Sequence, residues 1–282
     1  TWCAVVDGEA AGLAMAMYAA DSGRVPFIHV LPPHCGKGIE DRLVREAVKS
    51  LRGGGIERIT SECIPFCDIN LRPVFQALGF QVYPRQLMMA DTVLLSTPGE
   101  SVMRSAVCSP MDMRAAGEAL SAAYAAHAER ELHPEVQQPV SAEEFIRRAL
   151  RGAFGRSRPE YVRVVRQGNH IAGMIVGCEV APGVGFILQV AVRPDSQGRG
   201  LGGILIGDLA SAFLKRGMKR TALGVTLMNR ARNLYLRLGF EPLRDVDLSN
   251  YVREIVRYSG PVDALEKCRA GAVNVVYPDP SF

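Results

Sequence analysis

The sequence predicts an α/β protein in which one strand–loop–helix plan is laid down twice. In the second half, residues 186–192 form a short apolar run rich in β-branched side chains that ends at Arg193-Pro194. Gly198, Gly200, Gly202 and Gly203 follow, and then Leu201, Ile204, Leu205, Leu209, Ala212 and Phe213 fall on one helical face. In the first half, Pro32-Pro33, then Gly36-Lys37-Gly38, then Ile39, Leu43, Val44, Ala47, Val48 and Leu51 repeat that order. Pro32 and Pro194 lie 162 residues apart, as do Gly38 and Gly200, while Gly79 and Gly239 lie 160 apart. Two motifs held at nearly one offset indicate a duplicated domain.

The first domain is expected over residues 1–92. Strands at 2–6 and 11–17 flank the turn Asp7-Gly8-Glu9, and a strand at 26–31 follows. A helix from Ile39 closes at Gly53, a strand spans 56–64, and a short helix ends at Leu78-Gly79-Phe80. A linker at 93–101 contains Pro98-Gly99. The second domain is expected over 102–252. It opens with a strand at 102–107 and a helix at 111–126, and Ser141-Ala142-Glu143-Glu144 reads as a capping-box start for another helix. A hairpin joins 161–166 to 171–180 across Gln167-Gly168-Asn169; the glycine-loop unit, a strand at 220–226 and a helix ending at Gly239-Phe240 complete it. In the extension 253–282, a helix at 262–270 and a strand at 272–277 are expected to pack on the first domain. That would replace part of the front layer (a first strand and two helices) that the first copy lacks, unless the given chain is truncated.

Composition narrows the function. At 282 residues and 48% apolar side chains, one or two domains with sizeable cores are expected. A net charge of +4 argues against an obligate nucleic-acid binder. Seven cysteines with no C-x-x-C pair suit a reduced, cytoplasmic protein. The apolar stretch 11–20 is too short to span a membrane, and the N-terminus lacks a signal peptide's basic region.

The glycine loop suits an anion. A helix's first turn presents unpaired N–H groups and partial positive charge, and glycines let a phosphate approach them. Residues 193–237 carry nine basic side chains against Asp195 and Asp208, which suits a polyanionic ligand. The loop also spells Gly198-x-Gly200-x-x-Gly203, a dinucleotide fingerprint, but four residues separate Arg193 from the first glycine. The strand at 220–226 also has no acid for a ribose.

Gln197-x-x-Gly200-x-Gly202 resembles the diphosphate loop of the GNAT superfamily of acetyl-CoA-dependent N-acetyltransferases. The segment from Asn229 through Ala231, Leu234 and Tyr235 to Gly239-Phe240 is similar to that family's second signature, one residue shorter than usual between Asn229 and Tyr235. The resemblance implies two GNAT-like domains of tandem type, each a mixed, mostly antiparallel twisted sheet flanked by helices. It implies acetyl-CoA as acyl donor without a metal. Gln197, Gly198, Arg199, Gly200, Leu201, Gly202 and Gly203 would hold the diphosphate, and the backbone of Val190, Ala191 and Val192 the pantetheine arm. Tyr235 would protonate the departing sulfur, and Asn229 would contact coenzyme or merely cap its helix.

No base is legible. Gln189 stands near where the family often has a carboxylate, and an amide accepts no proton at neutral pH. Glu131 is a candidate, with Glu129, His127 and His133 beside it, although solvated surface is the commoner fate of each. The acidic stretch 127–146, with Glu129, Glu131, Glu135, Glu143 and Glu144, would draw a cationic acceptor, whether a small molecule or a protein amine. No nucleic acid or membrane partner is expected, and a monomer or a homodimer fits equally. Cys108 or Cys178 could serve a ping-pong route, but neither has a basic neighbour in sequence, so direct transfer is expected. In the first copy, Cys35, Glu40 and Phe75 replace Gln197, Gly202 and Tyr235. Glu40 would repel a diphosphate, so that half is expected to be structural or regulatory, with Gly36, Lys37 and Gly38 as residual coenzyme contacts. A non-catalytic acetyl-CoA sensor is the alternative function.

Overall fold

The computed structural model describes residues 1–18, 22–56, 58–63, 71–96, 104–125, 127, 129–243, 255–261 and 274–276. Its contacts divide the chain into Thr1–Gln86 with the tail from Arg244, and Leu87–Leu243.

In the first unit, β1 (Trp2–Val6) and β2 (Glu9–Tyr18) form a hairpin. Asp7 and Gly8 take φ of 52° and 85°, the paired left-handed residues that match a hairpin's twist. β3 (Ser22–Val30) pairs antiparallel with β2 and parallel with β4 (Arg58–Cys63), the crossover being α1 (Ile39–Gly53). Leu43, Val44, Ala47, Val48 and Leu51 of α1 are fully buried and pack in one core with Ala4, Ala14, Val25 and Ile28. α2 (Arg72–Ala77) follows, and β5 (Gln81–Asp91) contributes its first half here and its last half to the second unit.

The second unit continues with α3 (Thr92–Leu95), which occupies the start of the expected linker. Of the strand expected at 102–107, only Ala106–Val107 is a strand (β6), paired with β7, and residues 101–103 lie outside those described. α4 (Met113–Tyr124) follows a capping box in which Asp112 accepts from the Ser109 N–H and hydroxyl. The capping box expected at Ser141 is absent: α5 (Pro139–Leu150) starts two residues earlier, because Pro139 with its fixed φ takes the first helical position. Ser141 instead donates back to the Gln138 carbonyl, 3.0 Å. β7 (Val162–Gln167), β8 (His170–Ala181) and β9 (Val184–Val192) form an antiparallel meander. α6 (Leu201–Leu214) crosses over to β10 (Arg220–Thr226), parallel to β9, and α7 (Ala231–Arg237) and β11 (Glu241–Pro242) close the unit. β11 pairs with Met88 and Met89 of β5.

This sheet carries α6 on one face and α4 with α5 on the other. Ile175 and Ile187 join Leu205, Leu209 and Phe213 in one core, while Met174, Val176 and Ala191 join Ala116, Leu120 and Ile146 in the other. Gly185 permits the approach of α6, since a Cβ there would stand 2.4 Å from the Phe213 ring.

The tail returns to the first unit. β12 (Ile255–Pro261), where the sequence reading places no element, lies antiparallel between β4 and the first half of β5. β13 (Asn274–Val276) pairs with β1. The helix expected at 262–270 lies outside the described residues. No helix among the described residues is long and apolar enough to cross a membrane.

Candidate active site

β9 ends in a short turn, Pro194–Ser196, and the chain reaches α6 through Gly198 and Gly200 at φ of 77° and 76°. Side chains resist that left-handed region, so glycine is what lets the loop fold sharply onto the helix mouth. Gly200 has no side chain to cap α6, which leaves its first-turn N–H groups directed outward. A Cβ at Gly198, Gly200 or Gly203 would meet nothing within 4 Å, whereas one at Gly202 would stand 3.1 Å from Leu234 of α7. Three of these glycines therefore border open space, and Gly202 is a packing position that seats α6 on the helix carrying Tyr235. Leu201 is buried, so it offers the loop only its backbone. Gln197 does not reach toward the mouth: its amide donates to the Val192 carbonyl, 3.0 Å. Arg199 is exposed, with long contacts to Gln167 and the Asp195 carbonyl (3.4 and 3.5 Å).

Beside this mouth two parallel strands part. β9 and β10 pair from Val184–Arg220 to Ile187–Leu223 and no further. Leu188 is the extra residue of a bulge against β8. The Arg193 N–H donates to Ala172 on β8, 2.8 Å, and backbone groups alternate in direction along a strand. Those of Val190 and Val192 therefore point into the opening. Ala191, placed with them in the sequence reading, turns its backbone to β8 and its side chain into the α4–α5 core, which leaves it no route to a ligand.

Polar side chains close over the opening from the α4 side. Tyr124 donates to the Gln189 amide oxygen, 2.7 Å, and the Gln189 nitrogen lies 3.5 Å from His133 Nδ1. Glu135 lies 3.3 Å from that same nitrogen. The Tyr124 ring contacts both His127 and His133 at centroid distances of 5.5 and 5.0 Å. At the end of β10, Glu129 accepts from the Thr226 hydroxyl and from the Asn229 amide, 2.7 Å. Asn229 also caps α7 by accepting the Ala231 N–H, 2.9 Å, so it serves Glu129 and its helix rather than standing free for coenzyme.

The surface fate assigned to the acidic-stretch candidates is wrong for two of them: Glu129 and His133 are 3% and 6% exposed, and Gln189 of β9 beside them is 7% exposed. Nothing in their spacing signals this, because strand ends and a short loop bring them together only in the fold. Glu131 falls in the turn Arg130–Leu132, and its side chain lies outside those described. Glu143 and Glu144 pair with Arg147 and Arg151, so the acidic stretch divides between a buried cluster and a solvated helix face. Tyr235 is buried, its ring edge-on to Phe240 at 5.9 Å.

A family model described as the Acetyltransferase (GNAT) family matches residues 1–80 and 123–240. The chain belongs to the GNAT acetyltransferase family. Among solved structures, a GCN5-related N-acetyltransferase from Sphaerobacter thermophilus is 20% identical with a TM-score of 0.63, over 91% of this chain and 78% of that one. A GCN5-related N-acetyltransferase from Kribbella flavida is 16% identical with a TM-score of 0.55, over 93% and 90%. A tandem GNAT protein from the clavulanic acid biosynthesis pathway is 14% identical with a TM-score of 0.54, over 92% and 81%. At these identities the likeness is one of fold. A search of curated proteins finds no match.

GNAT membership implies acyl transfer from an acyl-CoA. The first GNAT copy has a different loop. Gly36 and Gly38 repeat the left-handed pair, but the buried Glu40 carboxylate accepts the Gly36 N–H at 2.6 Å. A fixed internal anion thus occupies a donor of the kind that a diphosphate would use.

Proposed function

We propose that the second unit moves an acetyl group from acetyl-CoA to a primary amine by direct attack. The observation that carries this is the uncapped, glycine-lined mouth of α6 beside the parted ends of β9 and β10. The loop and first-turn amides from Gly198 to Gly203 bind the diphosphate, while the outward backbone of Val190 and the Val192 N–H, whose carbonyl Gln197 already occupies, pair with the pantetheine arm and polarise the thioester carbonyl. Tyr235, on the helix that Gly202 packs against, donates a proton to the sulfur as the C–S bond breaks. The buried polar cluster from Tyr124 to Asn229 receives the amine.

Direct attack is favoured over an acyl-cysteine. Burial pushes the thiol of Cys178 up to about 11, and burial with the nearby Asp112 does the same to Cys108 against the pull of Arg166. A thiolate nucleophile is scarce at neutral pH under those conditions.

The test is calorimetric binding of acetyl-CoA together with thiol release across a panel of diamines, amino sugars, aminoglycosides and lysine peptides. Turnover that falls in Tyr235→Phe is the expected result. Binding with no turnover on any amine would replace the enzyme with an acetyl-CoA sensor, and no binding would refute both.

A further inference from the structure

We propose that the first unit is a GNAT fold whose coenzyme groove is filled by its own side chains, so that each chain takes up one acyl-CoA, in the second unit alone. The count of one rests on the acyltransferase reading above, while the filling of the first unit is a matter of its own packing.

The parting of two parallel strands that opens the second unit is also present in the first. β3 and β4 pair from Ser22–Arg58 to Val25–Ser61, which is the register of β9 with β10 moved by 162 residues. The Leu31 N–H donates to Ala11 on β2, 2.8 Å, just as the Arg193 N–H donates to Ala172 on β8. The backbone of Ile28 and Val30 is therefore aimed away from β2, as that of Val190 and Val192 is aimed away from β8.

What differs is the space around the fork. In the second unit Val190, Val192, Ala231 and Leu234 are only partly buried. Their counterparts Ile28, Val30, Leu71 and Val74 are all buried in the core of the first unit. Ile28 adds a methylene over Val190 and Leu71 an isopropyl group over Ala231, and only Val74 is smaller than its counterpart. A packed core holds no void of ligand size, so a pantetheine arm finds no room there. At the fork itself the buried Ser61 hydroxyl donates to the Val25 carbonyl, 2.7 Å. Phe75, which stands where the second unit has Tyr235, is fully buried and edge-on to Phe80 at 5.2 Å, with no proton to give.

The diphosphate end is closed by charge. A Cβ at Gly36 or Gly38 would meet nothing within 4 Å, so the loop keeps its open side. Glu40, at the position of Gly202, folds its carboxylate back onto the Gly36 N–H at 2.6 Å and is buried there. The negative charge that a helix's first turn favours is thus supplied from within the chain, and an entering diphosphate would be repelled by it. Glycine at 202 can supply no such internal ligand.

Isothermal titration of the full chain with acetyl-CoA should give one site. Two sites would overturn the proposal and leave the acyltransferase reading intact, whereas no binding would refute that reading and the count with it. A reciprocal exchange tests the filling. Ala231→Leu carries the first unit's side chain into the second fork, where the acetyl-CoA Kd should weaken at least ~10-fold without a fall in Tm, since the added group enters open space. Leu71→Ala empties part of a packed core and should lower the Tm by at least ~5 °C. Wild-type affinity in Ala231→Leu would overturn the proposal, as would a Leu71→Ala protein within about 2 °C of wild type. Should Leu71→Ala fail to fold, the titration and Ala231→Leu still decide. Glu40→Gln keeps an oxygen on the Gly36 N–H without the charge and should still show one site, because the groove stays filled. A second site appearing in that variant would make charge the only barrier and overturn the filling.

Discussion

Gly203→Ala sets stability and ligand binding against each other. Gly203 is the third residue of α6, and a Cβ there meets nothing within 4 Å. Alanine is favoured over glycine in a helix by about 1 kcal/mol, and no contact in the protein opposes that gain. For a unit of this size, the Tm should rise ~2–4 °C. If the open space is where the diphosphate lies, the added methyl intrudes on it, and the acetyl-CoA Kd should weaken by at least ~10-fold, or about 1.4 kcal/mol. Gly202→Ala is the contrast: its methyl meets Leu234 at 3.1 Å, so the helix gain is offset by displacement of α7. Differential scanning calorimetry and isothermal titration on the same samples read both signs. A Gly203→Ala protein that is more stable yet binds acetyl-CoA unchanged would refute the cradle, and one that is less stable would refute the open geometry.

Tyr235→Phe should lower kcat ~10²–10⁴-fold with little change in acetyl-CoA KM, as measured by thiol release, since the ring can keep its edge contact with Phe240. Cys178→Ala should retain kcat within about 3-fold, with intersecting double-reciprocal lines, because its buried thiol holds its proton at neutral pH. Asp208 on α6 accepts from the Ser105 N–H (2.6 Å), the Ser105 hydroxyl (2.9 Å) and Arg104 (2.9 Å). Burial pushes its pKa up, but those donors and the charge of Arg163 outweigh it and hold the carboxyl below its ordinary range. Its stabilisation is therefore present above about pH 4, the unfolded value, and is lost as the pH falls through the lower folded one. Asp208→Asn should cost about 3 kcal/mol at pH 7 and remove that part of the acid-induced loss, as read by urea unfolding at several pH values.

The elements that the sequence determines are those with local causes. Asp7-Gly8 specifies a hairpin because both residues tolerate positive φ, and Gly200 specifies a sharp loop-to-helix join for the same reason. The apolar periodicity of residues 201–213 places α6, and the matched offsets expose the duplication. Local rules also mislead where a neighbour overrides them, as when Pro139 starts α5 ahead of the Ser141 signal. Tertiary structure decides the rest. Whether a glycine borders a ligand or a leucine depends on what packs opposite, which separates Gly203 from Gly202. The direction of the Val190 and Val192 backbone depends on pairing with β8 across a bulge. The strand at Ile255–Pro261 lies where only partners distant in sequence, β4 and β5, reveal it. Above all, Glu129 reads as one more surface acid until Thr226 and Asn229, about a hundred residues away, enclose it. Burial and charge balance are properties of what surrounds a side chain, and no window of sequence contains those surroundings.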